Sequence, residues 1–332
     1  MSFKVLRPGL LSSLQDIGRI GYQKYGINVS GAMDALSLRL ANILVGNKED
    51  EAALEITMTG PTLEFLSDTL IAIVGANLSP VIDGVAVRMN RPVAVKAGAV
   101  LKFGACQKGC RAYLAAAGGY DVPEVMGSKS TYLRGELGGY QGRALQKGDI
   151  VDCGKPSSFG EHTLHFLLMK GARSFRIANW FVNPPHMEDA KLAAPIRLTK
   201  GMQMEAYKDE CVEAFLQETF KVTTSADRLG YRMQGPQIEL KAPLEMISEV
   251  ATFGSVQVPP DGNPIILMAD HQSVAGYPKI AQVISADLAR VAQYKPGSRM
   301  SFRLVSIEEA EEICFEQERY LESVKIAVMS KC

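Results

Sequence analysis

Four short motifs occur twice along this chain, in the same order in each half. They are residues 19–22 with 228–231, 60–65 with 235–240, 119–120 with 276–277, and 143–148 with 290–297. Motifs that repeat in register indicate a duplicated structural unit. The 332 residues also exceed what one compact core usually holds. The sequence therefore predicts two similar domains related by internal duplication. Residues that interrupt strands and helices cluster at 154–158, so the predicted domains are 1–155 and 156–332.

Gly, Pro, Asp and Asn interrupt the chain every eight to twelve residues, which is typical of all-β domains. The short apolar runs between them are predicted to be strands. They include Thr69–Val74, Val93–Val95, Ala112–Ala116, His165–Leu168 and Pro264–Met268. Three segments have a helical period instead: 36–44, 209–219 and 306–321, the last opening with a capping box at Ser306 and Glu309. The predicted fold class is mainly β with a few helices.

Composition excludes several partners. The 36 basic and 36 acidic side chains balance and no Lys/Arg run occurs, so no nucleic-acid surface is expected. The most apolar stretch, residues 69–76, is too short to cross a bilayer, and charged residues interrupt any signal-peptide core. We expect a cytoplasmic protein without a membrane partner. Its six scattered cysteines are expected to be reduced thiols.

Familiar catalytic motifs are missing. Residues 127–131 (Gly-Ser-Lys-Ser-Thr) end like a phosphate loop, but Ser128 separates the glycine from Lys129 and no glycine precedes at the required spacing. The four histidines and the pair Cys106 and Cys110 lack the spacing of a metal site. No nucleophile elbow is present. We expect no metal, and we expect residues 128–131 with Arg134 to have anion-binding character.

Polar and glycine-rich segments in the second half are candidate ligand loops. Gln257 and Asp261 precede a short strand, and Asp270 and Gln272 follow it. A Gly-rich loop lets a ligand approach the backbone while amides and carboxylates orient it. The alternative is structural, because Pro-Asp-Gly is a good turn and Asp270 can simply satisfy loop amides.

Two further candidates are charged. Arg228 could hold a carboxylate or phosphate in fork geometry, with Tyr231 as a donor, or it could pair with Asp227 on the surface. Asp34 opens the first predicted helix, where free amides favour an anion. It could equally be a first-turn carboxylate that interacts with the helix dipole.

Taken in order, several of these segments resemble the KipI-antagonist family, whose members also serve as the C subunit of bacterial 5-oxoprolinase. That family is related to allophanate hydrolase subunit 2 and to the carboxyltransferase region of urea carboxylase. The segments are residues 30–34, 54–56 with 60–61, 127–131, 227–232, 257–262 and 276–278. The resemblance implies two cyclophilin-like β-barrel domains of the carboxyltransferase type.

The resemblance also implies an enzyme that works in a complex. With a KipI-like B subunit and a LamB/YcsF-like A subunit of 5-oxoprolinase, the chain would open 5-oxoproline to L-glutamate with hydrolysis of ATP, the cofactor shared by the complex. Alternatives are a regulatory protein that antagonises a KipI-like inhibitor of a sensor kinase, or a biotin-dependent carboxyltransferase related to urea amidolyase. The residues expected to carry function are, for catalysis, Arg228, Tyr231, Asp261 and Asp270, and, for binding, Asp34, Lys129, Gln257, Gly276 and Tyr277.

Overall fold

The structure is a computed structural model that describes residues 1–331. Its contacts divide the chain into two compact units. The first comprises Met1–Ile20, Ser30–Met187 and the residues from Tyr320 onward, and the second Gly21–Val29 and Glu188–Arg319. The main division thus falls after Met187, whereas the sequence set it at 155/156. The reason is strand pairing, because Phe175–Ile177 pairs with Val93–Val95 and stays with the first unit.

The first unit contains two six-stranded sheets, two complete helices and the C-terminal part of α6 (Ile307–Met329). Its strands are β1 (Ser2–Arg7), β2 (Leu11–Gln15), β3 (Ala53–Thr57), β4 (Thr62–Phe65), β5 (Thr69–Asn77), β6 (Val81–Ile82), β7 (Val85–Ala86), β8 (Val93–Val95), β9 (Val100–Lys102), β10 (Lys108–Ala116), β11 (Ile150–Asp152) and β12 (Phe175–Ile177). The helices are α1 (Ala35–Val45) and α2 (Ser158–Met169). The sheet orders are β11-β1-β4-β9-β6-β7 and β12-β8-β5-β10-β3-β2. Both sheets contribute to one apolar core, in which Phe3, Ile73 and Leu114 are buried.

The second unit is built around an eight-stranded sheet. Its elements are α3 (Asp189–Ala193), β13 (Ile196–Lys200), α4 (Asp209–Gln217), β14 (Phe220–Val222), β15 (Gly230–Gln234), β16 (Glu249–Val250), β17 (Ser255–Gln257), β18 (Ile265–Leu267), β19 (Val274–Ala275), β20 (Lys279–Val283), α5 (Ser285–Val291), β21 (Arg299–Met300), β22 (Phe302–Leu304) and the start of α6 (Ile307–Met329).

The strand order of this sheet is β21-β14-β15-β18-β17-β20-β13-β22. Its two edge strands, β21 and β22, are separated along the chain only by Ser301, so the sheet curls into a nearly closed barrel. The buried rings of Phe215 on α4, Phe220 on β14 and Phe302 on β22 pack against one another, with the centroids of Phe215 and Phe302 4.8 Å apart. Strands β16 and β19 form a separate two-stranded sheet beside it.

The fold class, mainly β with a few helices, is confirmed. The three predicted helices are present as α1, α4 and α6. Gly46 ends α1 in the left-handed region at φ 75°, and Ser306 Oγ accepts the amide of Glu309 at the start of α6. The strand expected at His165–Leu168 is wrong. That run lies in α2, because Ser157 caps a helix there by accepting the amide of Gly160.

Two further findings concern residues 1–331. None of their helices has both the length and the apolar character needed to cross a membrane. No disulfide joins the five cysteines in this range. Cys332 lies outside the described residues.

Candidate functional site

Arg228 and Asp270 form a buried ion pair in the second unit. Arg228 Nε donates to Asp270 Oδ2 at 2.8 Å, and Nη2 donates to Oδ1 at 3.0 Å. Both residues are buried. The Asp270 amide donates to the Arg228 carbonyl, and Asn28 Nδ2 donates to the Asp270 carbonyl. The predicted surface pair with Asp227 is therefore wrong, since the guanidinium binds Asp270 and the Asp227 carboxylate caps the amides of Leu229 and Gly230.

Gln257 and Asp261 lie at the opposite end of β18 from that ion pair, as their sequence order predicted. Gln257 pairs with Ile265 at the start of β18, whereas Asp270 follows the end of this strand. Gln257 is buried and its Oε1 has no hydrogen-bond partner among the described residues. Asp261 is exposed, and its Oδ1 accepts the amide of Asn263 at 3.1 Å. The Asp261 carboxylate thus stabilises a turn, and Gln257 is the member of this pair with an unused acceptor.

Tyr231 is a structural anchor in this geometry. Its ring is buried on β15, and its hydroxyl donates to the carbonyl of Tyr294 at 3.1 Å. The hydroxyl thus ties β15 to the segment after α5. The structure therefore brings Arg228 together with Asp270, whereas the Tyr231 hydroxyl binds the Tyr294 carbonyl and not this ion pair.

Gly276 and Tyr277 follow β19 and are exposed, with Tyr277 43% accessible. Two residues beyond Tyr277, Lys279 Nζ donates to Glu249 Oε2 at 2.9 Å and to the Val250 carbonyl at 2.8 Å. The hydrogen bond from Lys279 lowers the pKa of the Glu249 carboxyl. Lys279 itself is buried.

Sequence reasoning missed Lys279, because a lysine that opens a strand has the pattern of a surface residue. Its signal was its position directly after the Gly-Tyr-Pro motif. Lys279 is also the register partner of Gln257 across β17 and β20. Directly opposed residues of antiparallel strands share a face of the sheet. Strand pairing therefore places Gln257, with its unused amide oxygen, opposite Lys279, at a shift in register between Val256 and Gln257.

Asp34 is fully buried in the first unit and caps α1. Its Oδ1 accepts the Ser37 amide at 2.8 Å, and its Oδ2 accepts from Ser37 Oγ at 2.7 Å and lies 3.0 Å from His186 Nε2. Burial by itself would raise the pKa of the Asp34 carboxyl, but the charge of His186 and the hydrogen bonds from His186 and Ser37 lower it below its ordinary value. Both interpretations of Asp34 thus missed its main partner, His186, which lies 152 residues away in the chain.

The backbone beside Asp34 joins a second buried group. The Asp34 amide donates to the Tyr113 hydroxyl, which donates to Glu55 Oε2 at 2.6 Å. Arg111 Nε lies 3.8 Å from Glu55 Oε1. Burial, together with the negative charges of Glu55 and Asp34, raises the pKa of Tyr113 well above its ordinary value, so this hydroxyl remains a donor.

Residues 128–131 bind an anion that the chain itself supplies. The Asp16 carboxylate accepts from the amides of Gly18 and Lys129, at 2.7 and 2.6 Å, and from the hydroxyls of Ser128 and Ser130. The Lys129 side chain points to another group, with Nζ 2.8 Å from Glu51 Oε1 and 3.2 Å from the Tyr120 carbonyl. The predicted anion-binding character is thus satisfied internally by Asp16.

The predicted site residues therefore fall into separate places. Arg228 meets Asp270, Gln257 lies beside Lys279 near the turn of Asp261, and Asp34 and Lys129 belong to the first unit. Within residues 1–331, no group of three or more His, Cys, Asp or Glu side chains is arranged to hold a metal ion. The second unit offers a buried carboxylate-guanidinium pair and an unpaired amide oxygen. Groups of these kinds are ones that can orient a polar ligand in protein sites.

Comparison with known proteins assigns this mainly β fold to the carboxyltransferase type. Residues 25–304 match the family described as carboxyltransferase domain, subdomain A and B. The chain therefore belongs to this family, which confirms the resemblance stated from its motifs.

Two relatives match almost end to end. The chain is 38% identical to the 5-oxoprolinase C subunit of Haemophilus influenzae, over 96% of each chain. It is 36% identical to the 5-oxoprolinase C subunit of Escherichia coli, over 97% of each. Among solved structures, the urea amidolyase of K. lactis superposes with a TM-score of 0.83 at 32% identity, over 97% of this chain. The present chain spans only 20% of that larger protein.

Proposed function

We propose that the chain is the C subunit of an ATP-dependent 5-oxoprolinase, which opens 5-oxoproline to L-glutamate together with partner subunits. The observation that carries this proposal is the end-to-end correspondence with two proteins named as 5-oxoprolinase C subunits. In the urea amidolyase match, by contrast, the corresponding region is one fifth of a longer chain.

The proposed chemistry explains the need for ATP. A lactam carbonyl is a poor electrophile. Transfer of the γ-phosphoryl group to the lactam oxygen breaks the bond between the β-phosphate oxygen and the γ-phosphorus and makes the ring carbon reactive. Water then adds to that carbon, the C–N bond breaks and the nitrogen takes a proton, which leaves an acyl phosphate. A second water hydrolyses the acyl phosphate, so the sum is 5-oxoproline, ATP and two waters to glutamate, ADP and phosphate.

We assign nucleotide binding to a partner, either the KipI-like B subunit or the LamB/YcsF-like A subunit. The segment of this chain most like a phosphate loop, residues 127–131, does not fit a phosphate because the Asp16 carboxylate already takes its amide and hydroxyl donors. A second anion there would meet a buried negative charge. This chain's contribution is then substrate binding, for which the unpartnered Gln257 Oε1 suits a donor such as a lactam N–H.

The test is 5-oxoproline-dependent ATP hydrolysis, measured on the purified chain alone and on the chain co-purified with both partner subunits. We expect turnover only in the complex. Turnover by the isolated chain after rigorous purification would contradict the assignment of ATP to a partner. A complex that assembles but leaves 5-oxoproline intact would contradict the proposed activity.

A second function follows from the structural likeness to urea amidolyase. In that case the chain would transfer a carboxyl group from biotin. Adding avidin to the active complex distinguishes the two proposed reactions. Avidin inhibits a biotin-dependent carboxyl transfer and leaves ATP-driven lactam opening unchanged. A regulatory role, in which the chain sequesters a KipI-like inhibitor of a sensor kinase, requires only that the two proteins bind. Binding of the KipI-like inhibitor would therefore persist in variants that have lost turnover.

A further inference from the structure

His271 lies in the second unit, at the end of the turn that follows β18, and is only 9% exposed. Its amide donates to the Met268 carbonyl at 3.0 Å. The amide of the preceding residue, Asp270, donates to the Arg228 carbonyl at 2.8 Å. These two backbone hydrogen bonds fix the turn and, with it, the position of the imidazole ring.

One ring nitrogen of His271 binds the backbone. Nδ1 lies 2.8 Å from the Gln272 carbonyl oxygen. A carbonyl oxygen can only accept a hydrogen bond, so Nδ1 carries the proton. A neutral imidazole has one donor and one acceptor nitrogen, and Nε2 is therefore the nitrogen with the lone pair. The contact with the Gln272 carbonyl thus sets the tautomer of His271.

The other ring nitrogen, Nε2, has no hydrogen-bond partner among residues 1–331. The fully enclosed side-chain atoms that lack a partner include Gln257 Oε1 and His186 Nδ1 but not His271 Nε2, so Nε2 reaches solvent. Buried polar groups that serve only the packing of a protein are normally hydrogen-bonded. His271 instead presents an unused acceptor to solvent from a ring that is otherwise buried.

The surroundings of His271 favour the neutral ring. Burial disfavours the charged form and lowers the pKa of His271 below its ordinary 6.5. The hydrogen bond to the Gln272 carbonyl and the charge of Asp270 act in the opposite direction, with smaller effect. The Asp270 carboxylate is itself balanced by the Arg228 guanidinium at 2.8 Å. At neutral pH the ring is therefore mostly uncharged, and Nε2 can take a proton.

We propose that His271 Nε2 is the general base of the lactam-opening reaction, an inference that rests on the proposed function. As the water oxygen bonds to the activated ring carbon, Nε2 takes one proton from that water. An O–H bond breaks and an N–H bond forms. The imidazolium then gives this proton to the ring nitrogen as the C–N bond breaks, which returns His271 to its neutral form. The remaining hydroxyl proton is released as the new carbonyl forms, and the free amine takes it up.

The test compares His271→Asn with the wild type in the complex with both partner subunits. The Asn side chain can still donate to the Gln272 carbonyl, but it has no atom in the place of Nε2. Without its base, the complex is expected to lose about a hundredfold or more in kcat for 5-oxoproline while KM changes little. The same change at an exposed histidine of α2, His165→Asn, is the matched control and is expected to leave kcat unchanged.

The pH profile distinguishes a base from a structural residue. A base acts only when it is unprotonated, so wild-type kcat is expected to fall about tenfold per pH unit below the pKa of His271 and to be level above it. The His271→Asn complex is expected to lack this acidic limb. A structural role would lower kcat equally at every pH, and thermal unfolding of the variant checks that its fold is intact.

The protonation state of His271 can also be measured without turnover. The ¹⁵N chemical shifts of the full chain at about pH 7.5 are expected to show Nδ1–H and an unprotonated Nε2, with the His271 signals assigned by their loss in His271→Asn. A proton on Nε2 at this pH, or equal kcat in the wild type and His271→Asn, would overturn the proposal. A wild-type complex without any 5-oxoproline turnover would contradict the proposed function itself, and the base role with it.

Discussion

The guanidinium of Arg228 and the carboxylate of Asp270 are joined by two parallel hydrogen bonds of 2.8 and 3.0 Å, and both residues are buried. Paired in this way, each group compensates the cost of burying the other's charge. Removing one partner leaves an isolated buried charge, whereas replacing both by apolar groups removes the problem. This asymmetry lets stability and function be measured separately.

Arg228→Met alone is expected to lower the free energy of unfolding by about 3–5 kcal/mol, because it leaves Asp270 buried without its partner. The paired change Arg228→Met with Asp270→Leu is expected to recover most of that loss. If the pair serves the ligand, the paired variant will fold and assemble but fail in 5-oxoproline turnover. Urea unfolding and turnover of the reconstituted complex are the two measurements. Full turnover by the stable paired variant would mean that this ion pair is structural only.

Asp261→Asn is the matched variant at the other end of β18. The Asn side chain can still accept the amide of Asn263, so the turn persists and the free energy of unfolding is expected to change by about 0.5 kcal/mol or less. Loss of turnover at unchanged stability would support a ligand role for the Asp261 charge. Unchanged turnover would mean that Asp261 is a turn residue.

Asp34→Asn keeps the cap on α1 but removes the buried charge beside His186. At neutral pH we expect this variant to be about 2 kcal/mol less stable than the wild type. Since the folded-state pKa of Asp34 lies below its ordinary 3.8, the wild-type advantage is full above that value and is lost as the pH falls through the folded pKa. Urea unfolding at about pH 6 and about pH 3 checks this. An advantage that grows in acid would contradict the buried Asp34–His186 interaction.

Asp16→Ala and Lys129→Met distinguish an internal anion from a ligand site. Removing the Asp16 carboxylate leaves two amides and two hydroxyls without their acceptor and is expected to cost about 3 kcal/mol or more. The Lys129 side chain forms a partly exposed ion pair with Glu51, so Lys129→Met is expected to cost about 1 kcal/mol or less. Chemical denaturation measures both. A large loss in the Lys129 variant with little change in the Asp16 variant would reverse this assignment.

Cys153 is expected to resist alkylation in the native protein. Burial raises the pKa of its thiol to about 12, so its thiolate fraction at pH 8 is about 10⁻⁴. Cys211 and Cys314 are half-buried and are expected to react before Cys153. Mass spectrometry of iodoacetamide-treated native protein gives the order of labelling. Labelling of Cys153 as fast as Cys314 would show that the first unit opens at this strand end more readily than its packing implies.

Several features of the fold could be predicted from local sequence alone. Turn-forming residues at short intervals indicated the β class, and three helical periods, the last with a capping box, located α1, α4 and α6. The order of Gln257, Asp261 and Asp270 around one strand placed them at its two ends. These predictions succeeded because turn chemistry, capping and side-chain periodicity act between residues that are close in the chain.

The partners of the buried charged groups were decided only by the tertiary structure. Local sequence placed Asp34 at the start of a helix but could not supply its partner His186. It also indicated an affinity of residues 128–131 for anions but could not show that Asp16 satisfies it. Lys279 had the pattern of a surface lysine until strand pairing set it beside Gln257 and Glu249. The physical reason is that burial of a charge depends on which distant strands and helices pack against it. A pattern of neighbouring residues determines where a strand or helix forms, and the packing of those elements determines which charges meet.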